Sequence, residues 1–231
     1  MRKLKKVLPV FLIFILILFG SCTNNVDENK ETTPTKSTFC GKEFPFAVSE
    51  DIEITDAFAY TGEFPEDGSF SVKDYVFALK VKNNSKKDLQ LVRFFVTTDK
   101  GDYSFEVTTL PSDKSVIVLE KNGAKISDDE RIVEIRQENT VFFEKKLSLN
   151  SDKFEITALD KVINIKNISQ QDVTSNVYVY FKVKDVNGDY LGGITFRSNA
   201  GTLNAGEFKQ IPASHFNIDD SKVMFVDYEG A

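Results

Sequence analysis

A chain of 231 residues with 35 acidic and 29 basic side chains, a net charge of −6 and one histidine is ill suited to nucleic acid, because phosphate backbones repel an acidic surface. Anionic lipid surfaces are repelled likewise, so membrane contact is expected only through an anchor. With 21 Phe, 7 Tyr and no Trp, the interior must be built on phenylalanine, and the length suits one large or two ordinary domains.

The chain begins with a basic head, Arg2, Lys3, Lys5 and Lys6, followed by an unbroken apolar run from Val7 to Phe19. At about 13 residues the run falls short of the roughly 20 that cross a bilayer, so residues 1–21 read as a signal peptide. The run closes on Phe19-Gly20-Ser21-Cys22, which resembles a bacterial lipobox. That resemblance implies cleavage before Cys22, diacylglyceration of its thiol, and a lipid-anchored chain on the extracytoplasmic side of the cell membrane. Phe19 departs from the Leu, Val or Ile usual at its place. An ordinary signal peptide ending near a cysteine is the alternative.

Residues 22–45 are polar, Thr-rich and poor in aliphatics. Such a stretch buries too little surface to offset its ordering entropy and reads as a flexible tether. Cys40 falls inside it. If Cys22 carries lipid, Cys40 has no partner in the chain, and the fold is expected to do without disulfides.

From Phe46 onward the period is that of strands. Tyr75, Phe77, Leu79 and Val81 alternate with Lys80 and Lys82, and Val177, Val179, Phe181 and Val183 alternate with Lys182 and Lys184. This is the pattern of half-buried strands, and turn signals such as Asn83-Asn84-Ser85, Lys100-Gly101-Asp102 and Asn187-Gly188-Asp189 separate the runs. No stretch keeps a helical period. An all-β chain is predicted.

The strands repeat. Ile52-Glu53-Ile54-Thr55 returns as Phe154-Glu155-Ile156-Thr157, and Val81-Lys82-Asn83-Asn84-Ser85 as Ile165-Lys166-Asn167-Ile168-Ser169. Val92, Phe94, Val96, Gly101, Asp102 and Tyr103 return as Val179, Phe181, Val183, Gly188, Asp189 and Tyr190. Asp128-Asp129 and Ile135 return as Asp219-Asp220 and Val226. Blocks recurring in one order imply two copies of one domain, residues 46–145 and 146–231. Each holds about six or seven short strands, the content of an immunoglobulin-like β-sandwich.

In the second copy Asn167-x-Ser169, an alternating strand, then Phe181-Lys182-Val183-Lys184-Asp185 before Asn187-Gly188-Asp189 resembles the FxLYD type of Ig-like domain of bacterial envelope lipoproteins. Leu203 to Phe208 fits that family's small-residue turn. The first copy departs, with Thr98 where the Asp belongs. The resemblance implies a fold and an envelope location, and brings no catalytic residues.

Copy one is longer than copy two between Thr55 and Asn83, which places an insertion at residues 60–74. It combines Tyr60, Phe64 and Phe70 with Glu63, Glu66 and Asp67, and inserted loops on a sandwich often carry function. Phe64, Glu66 and Asp67 are therefore candidate partner-binding residues. An acidic hairpin tucked back onto its sheet is the alternative. Tyr178 and Tyr180 form a second candidate strip, for an envelope protein or glycan; the alternative is packing on the neighbouring domain.

Chemistry has thinner leads. Asp185-Val186-Asn187-Gly188-Asp189 resembles the start of a calcium loop, but its glycine comes early, no closing glutamate follows, and an Asn-Gly hairpin explains it. The recurring acid pairs Asp128-Asp129 and Asp219-Asp220 read as turn caps. His215, the one histidine, lies in no hydrolase or metalloprotease motif, and a dyad with Cys40 would have to reach into the tether. No catalytic residue, metal or cofactor is assigned. The expectation is a non-catalytic binding or scaffolding protein, with a plain structural spacer or an unrecognised enzyme as alternatives.

Overall fold

The computed structural model describes residues 36–228. The predicted signal peptide, Cys22 and the first part of the predicted tether lie outside them. Among the described residues there is no helix. A small hairpin, β1 (Ser37–Phe39) with β2 (Lys42–Phe44), precedes a short β3 (Phe46–Ala47). Lobe one continues with β4 (Ile52–Phe64), β5 (Ser71–Asn83), β6 (Leu89–Thr98), β7 (Asp102–Leu110), β8 (Ser115–Leu119) and β9 (Ile132–Phe142). Lobe two holds β10 (Phe154–Leu159), β11 (Val162–Asn167), β12 (Val173–Lys184), β13 (Tyr190–Leu203), β14 (Phe208–Pro212) and β15 (Ser221–Asp227).

The pairing order is the same in both lobes. In lobe one β5 lies between β4 and β8, and β6 between β7 and β9; in lobe two β11 lies between β10 and β14, and β12 between β13 and β15. The lobes share a sheet, however. β13 pairs in parallel with β8, Tyr190 opposite Val116 and Leu191 opposite Ile117, so β15-β12-β13-β8-β5-β4-β3 forms one continuous sheet of seven strands.

One asparagine pins each lobe in the same way. Asn83 Nδ2 donates to the carbonyls of Lys87 and Leu110, and its Oδ1 accepts from the amide and hydroxyl of Ser85. Asn167 does the same with Gln171, Leu203 and Ser169. Both asparagines are fully buried, and a buried amide is tolerated only when its donors and acceptor are satisfied.

The alternation predicted for β12 is present on one face: Val177, Val179, Phe181 and Val183 are buried in the core of lobe two. The other face departs, because Lys182 is completely buried. β5 departs as well. Tyr75 sits at φ +60° and is exposed, after which Val76, Phe77, Ala78 and Leu79 are buried in succession. Both faces of the sheet are covered there. Phe77 and Leu79 enter the core of lobe one, while Val76, Ala78, Ile117, Leu119 and Leu191 gather under Phe58, Tyr60 and Phe64. The outer cover is the far end of the β4–β5 hairpin, which is the predicted insertion.

The predicted tether does not run to residue 45. Ser37 to Phe44 fold as the β1–β2 hairpin, with Cys40 at φ +48° and Gly41 at φ +76° in its turn. Phe44 and Cys40 are buried, and Phe39 packs on Phe77 with ring centroids 5.9 Å apart. Two phenylalanines and a cysteine supply the apolar area that the composition of the preceding stretch lacks.

Candidate functional site at the lobe junction

The junction is built on two glycines near the start of β13. A Cβ on Gly193 would lie 1.7 Å from the carbonyl oxygen of Glu106, so β7 reaches β13 only because that side chain is missing. Gly192, at φ +82°, leaves space for Pro65 of the hairpin, whose Cγ would stand 2.5 Å from an added Cβ. Interior strand glycines commonly mark such close approaches. Across the same contact Thr108 Oγ1 donates to the Gly193 carbonyl at 3.0 Å, and Thr195 Oγ1 to the Thr108 carbonyl at 2.8 Å.

Lys182 rises from β12 into this seam. Its Nζ donates to the carbonyls of Thr108 (3.0 Å), Gly193 (3.0 Å) and Ile194 (2.6 Å), which belong to both lobes. The three carbonyls match the three donors of an ammonium group, and the Thr195 hydroxyl lies 3.4 Å away as a fourth acceptor. Burial pushes the amine down to about 7, and the charge of Glu66 acts in the opposite direction.

Glu66 is the hairpin's contribution. Its Oε1 accepts the amides of Leu119 (3.0 Å) and Gly193 (2.7 Å), and its Oε2 that of Ile194 (3.3 Å), so one carboxylate ties β8 to β13. Burial pushes this carboxyl above the ordinary range, while the amides and Lys182 draw it back. At the other end of the seam Lys80 pairs with Asp189 at 2.6 Å.

Of the candidate partner-binding residues in the insertion, Phe64 is 1% exposed and lies under the ammonium of Lys73 at 3.5 Å. Glu66 is occupied by backbone amides. Neither offers a surface to a partner, because both are consumed in covering and bracing the shared sheet. Asp67 remains exposed, where it accepts the Ser69 amide at 2.8 Å and stands 3.8 Å from Lys73. Phe70 lies 5.5 Å from the ring of His215 and 5.7 Å from that of Phe196, which docks the hairpin tip on lobe two.

Tyr178 and Tyr180 are half-buried. Tyr180 stacks flat on Phe225, centroids 4.2 Å apart at 4°, and packs on the core of lobe one. Tyr178 carries the guanidinium of Arg197 at 5.1 Å. Tyr180 thus follows the domain-packing alternative, and Tyr178 retains a partly open ring.

A cleft of about 750 Å³ opens beside the hairpin, lined by Tyr60, Glu63, Ile117, Leu191, Val183 and Asp220 among others. It shares Glu63, Val183 and Asp220 with a second hollow of about 440 Å³ that reaches Phe70, Ser214 and His215. The first has the size of a small-ligand site, and its lining combines Ile117, Val183 and Leu191 with several carboxylates and Lys184. Burial, Glu63 and Asp185 together raise the Tyr60 hydroxyl above its ordinary value. Asp185 is spent capping its turn, accepting the amides of Asn187 and Asp189, and Asp220 receives bonds from Asn217 and Ser221.

The remaining sequence leads stay apart. Cys40 points its thiol at the Ser127 carbonyl inside lobe one, whereas His215 stacks with Phe70 and Phe196 in the other lobe. The His215 ring is held by its contacts with Phe70 at 5.5 Å and Phe196 at 4.8 Å. Asp129 pairs with Lys100 at 2.5 Å. Among the described residues no group of three or more His, Cys, Asp or Glu is placed to hold a metal ion.

Sequence reasoning missed Lys182, Thr108, Thr195 and the glycine pair. One signal was present: Gly192-Gly193 interrupts a strand where the first copy has Phe105-Glu106, as expected where another backbone comes close. Comparisons with known proteins found no matching family model, no matching curated protein and no matching solved structure.

Proposed function

We propose that this chain is a lipid-anchored, extracytoplasmic binding or scaffolding protein of the bacterial cell envelope, without catalytic activity. In this reading Cys22 carries the lipid and the body consists of two tandem Ig-like lobes, the second of FxLYD type. The leader and the Cys22 context support the address. The shared pairing order of the six strands in each lobe supports the tandem reading. The binding role rests on one observation: the junction cleft is formed by groups from both lobes, held in register by the shared sheet and by Glu66. A preorganised concave surface of this kind loses little entropy when a partner docks.

The test is crosslinking on intact cells, reading captured partners by mass spectrometry for wild type beside a Glu63→Lys/Asp220→Lys double variant. Both residues line the cleft and neither belongs to a hydrophobic core, unlike Phe64; Asp220 bonds only within its own turn, to Asn217 and Ser221, and circular dichroism of the variant checks that the fold is retained while the cleft charge is reversed. A partner captured by wild type and lost in the variant establishes the cleft as the binding surface. Capture of nothing by either protein favours the spacer reading. A parallel Cys22→Ala chain should leave the membrane fraction; one that stays there refutes the lipid anchor.

A further inference from the structure

We propose that the junction cleft takes a basic side chain, lysine or arginine, from an extended segment of a partner protein, a proposal that rests on the binding reading of that cleft. In lobe one the turn Thr98-Asp99-Lys100-Gly101-Asp102 lies beside the acid pair Asp128-Asp129, and Lys100 pairs with Asp129 at 2.5 Å. In lobe two the corresponding turn is Asp185-Val186-Asn187-Gly188-Asp189, and the acid pair is Asp219-Asp220. Asn187 stands in the place of Lys100, so the counter-cation is gone, and Asp185 adds a carboxylate where lobe one has Thr98. Val186 stands in the place of Asp99 and is fully exposed. The corner that lobe one neutralises with its own lysine is left acidic and apolar-tipped in lobe two.

This corner lines the cleft of about 750 Å³, and Glu63 of the β4–β5 hairpin lines it too. Among the described residues none of Glu63, Asp185, Asp219 and Asp220 is ion-paired, and Lys184, the one cation of the lining, pairs with no carboxylate. Asp185 and Asp220 bond to neutral groups, the amides of Asn187 and Asp189 and the side chains of Asn217 and Ser221. Four carboxylates against one ammonium give the cleft a field that favours a cation. After burial, the charges of Glu63 and Asp185 are what hold the Tyr60 proton, so the negative potential extends to that hydroxyl.

The lining also suits the aliphatic stem that carries such a charge. Ile117, Val183 and Leu191 lie in it, and Gly62 leaves room for Tyr60, since a Cβ there would stand 2.5 Å from the hydroxyl oxygen. Lysine and arginine lay their methylenes on such surface while the charged head meets polar groups. The second hollow, of about 440 Å³, favours a polypeptide over a free amine, because it shares Glu63, Val183 and Asp220 with the first. Alternate side chains of an extended segment lie about 7 Å apart on one face, so one can enter each hollow. Val186 then offers the segment an apolar contact at the tip of its turn.

The test applies the full chain in detergent micelles to an array of immobilised hexapeptides whose central positions vary over all residue types. Wild type should retain peptides with lysine or arginine and release those with aspartate or glutamate. A Glu63→Gln/Asp219→Asn variant, isosteric at two exposed positions and checked by circular dichroism, should bind the same peptides about tenfold more weakly, the sum of two exposed charge pairs. Equal binding by the variant overturns the proposal. Retention of peptides without a basic residue, lost in Glu63→Lys/Asp220→Lys, overturns it while leaving the cleft a binding surface. Spermidine bound as tightly as the best peptide makes a free amine the ligand and overturns the polypeptide source. Retention of no peptide overturns the proposal as well, and crosslinking on intact cells then decides alone whether the cleft binds a partner.

Discussion

Gly193 lies so close to Glu106 that a methyl group on it would overlap the Glu106 carbonyl oxygen at 1.7 Å. The obstacle is backbone, which cannot swing aside as a side chain can. Gly193→Ala should therefore destabilise the protein by about 3 kcal/mol or more, at the upper end of overpacking costs. Gly101→Ala, where nothing lies within 4 Å of the added carbon, should stay within about 0.5 kcal/mol of wild type. Urea denaturation of both variants checks the pair; equal midpoints would contradict the close contact.

The two asparagine pins should be interchangeable in cost. Asn83→Ala and Asn167→Ala each take the side-chain partner from one interior carbonyl (Leu110 or Leu203) and from one serine amide (Ser85 or Ser169), a loss of about 2–4 kcal/mol apiece. Asn→Asp at either site should be no better, because a carboxylate oxygen would then face a carbonyl. Chemical denaturation with separate probes in each lobe measures both. A large cost in one lobe and none in the other would show that the copies are not energetically alike.

The hairpin insertion should behave as structure at Phe64 and as surface at Asp67. Phe64→Ala should cost about 3–5 kcal/mol, the usual loss for a buried phenylalanine. Asp67→Ala should leave the melting temperature close to that of wild type, since its ion pair is solvated. Thermal unfolding of the two variants distinguishes the roles; comparable small losses would return the whole loop to the solvent.

Glu130 sets an acid limit on lobe one. Burial alone would raise its carboxyl, but the Ser127 amide, the Tyr103 hydroxyl at 2.8 Å and the hydroxyls of Ser127 and Thr98 outweigh it and hold it below the ordinary value. A depressed folded-state pKa gives stability that is present above the unfolded value of 4.5 and is lost as pH falls through the folded value. Wild-type stability should fall with acid below 4.5 more steeply than that of Glu130→Gln. Melting curves across that range test it, with parallel pH profiles as the refuting result.

Local pattern carried much of this architecture. Alternating Val177, Val179, Phe181 and Val183 form one buried face of β12, and the repeated Asn-x-Ser blocks hold the same corner in each lobe, because strand period and a buried amide's bonding needs are local properties. The candidate site was legible only in fragments. The insertion was visible as extra length between Thr55 and Asn83, but whether its aromatics met solvent or a second apolar face depended on what lay above β5 and β8.

Sequence alone thus determined that the described residues are all-β and built on phenylalanine, since side-chain period and turn chemistry need only near neighbours. Only the tertiary structure decided that β8 and β13 join the lobes into one sheet, that Lys182 is buried, and that Glu66 bonds to amides from both lobes. Alternation assigns a residue to a face of its strand, and what that face meets is settled by segments far away in the chain. Lys182 and Lys184 follow the same pattern in sequence, yet only Lys182 lies where β7 crosses β13.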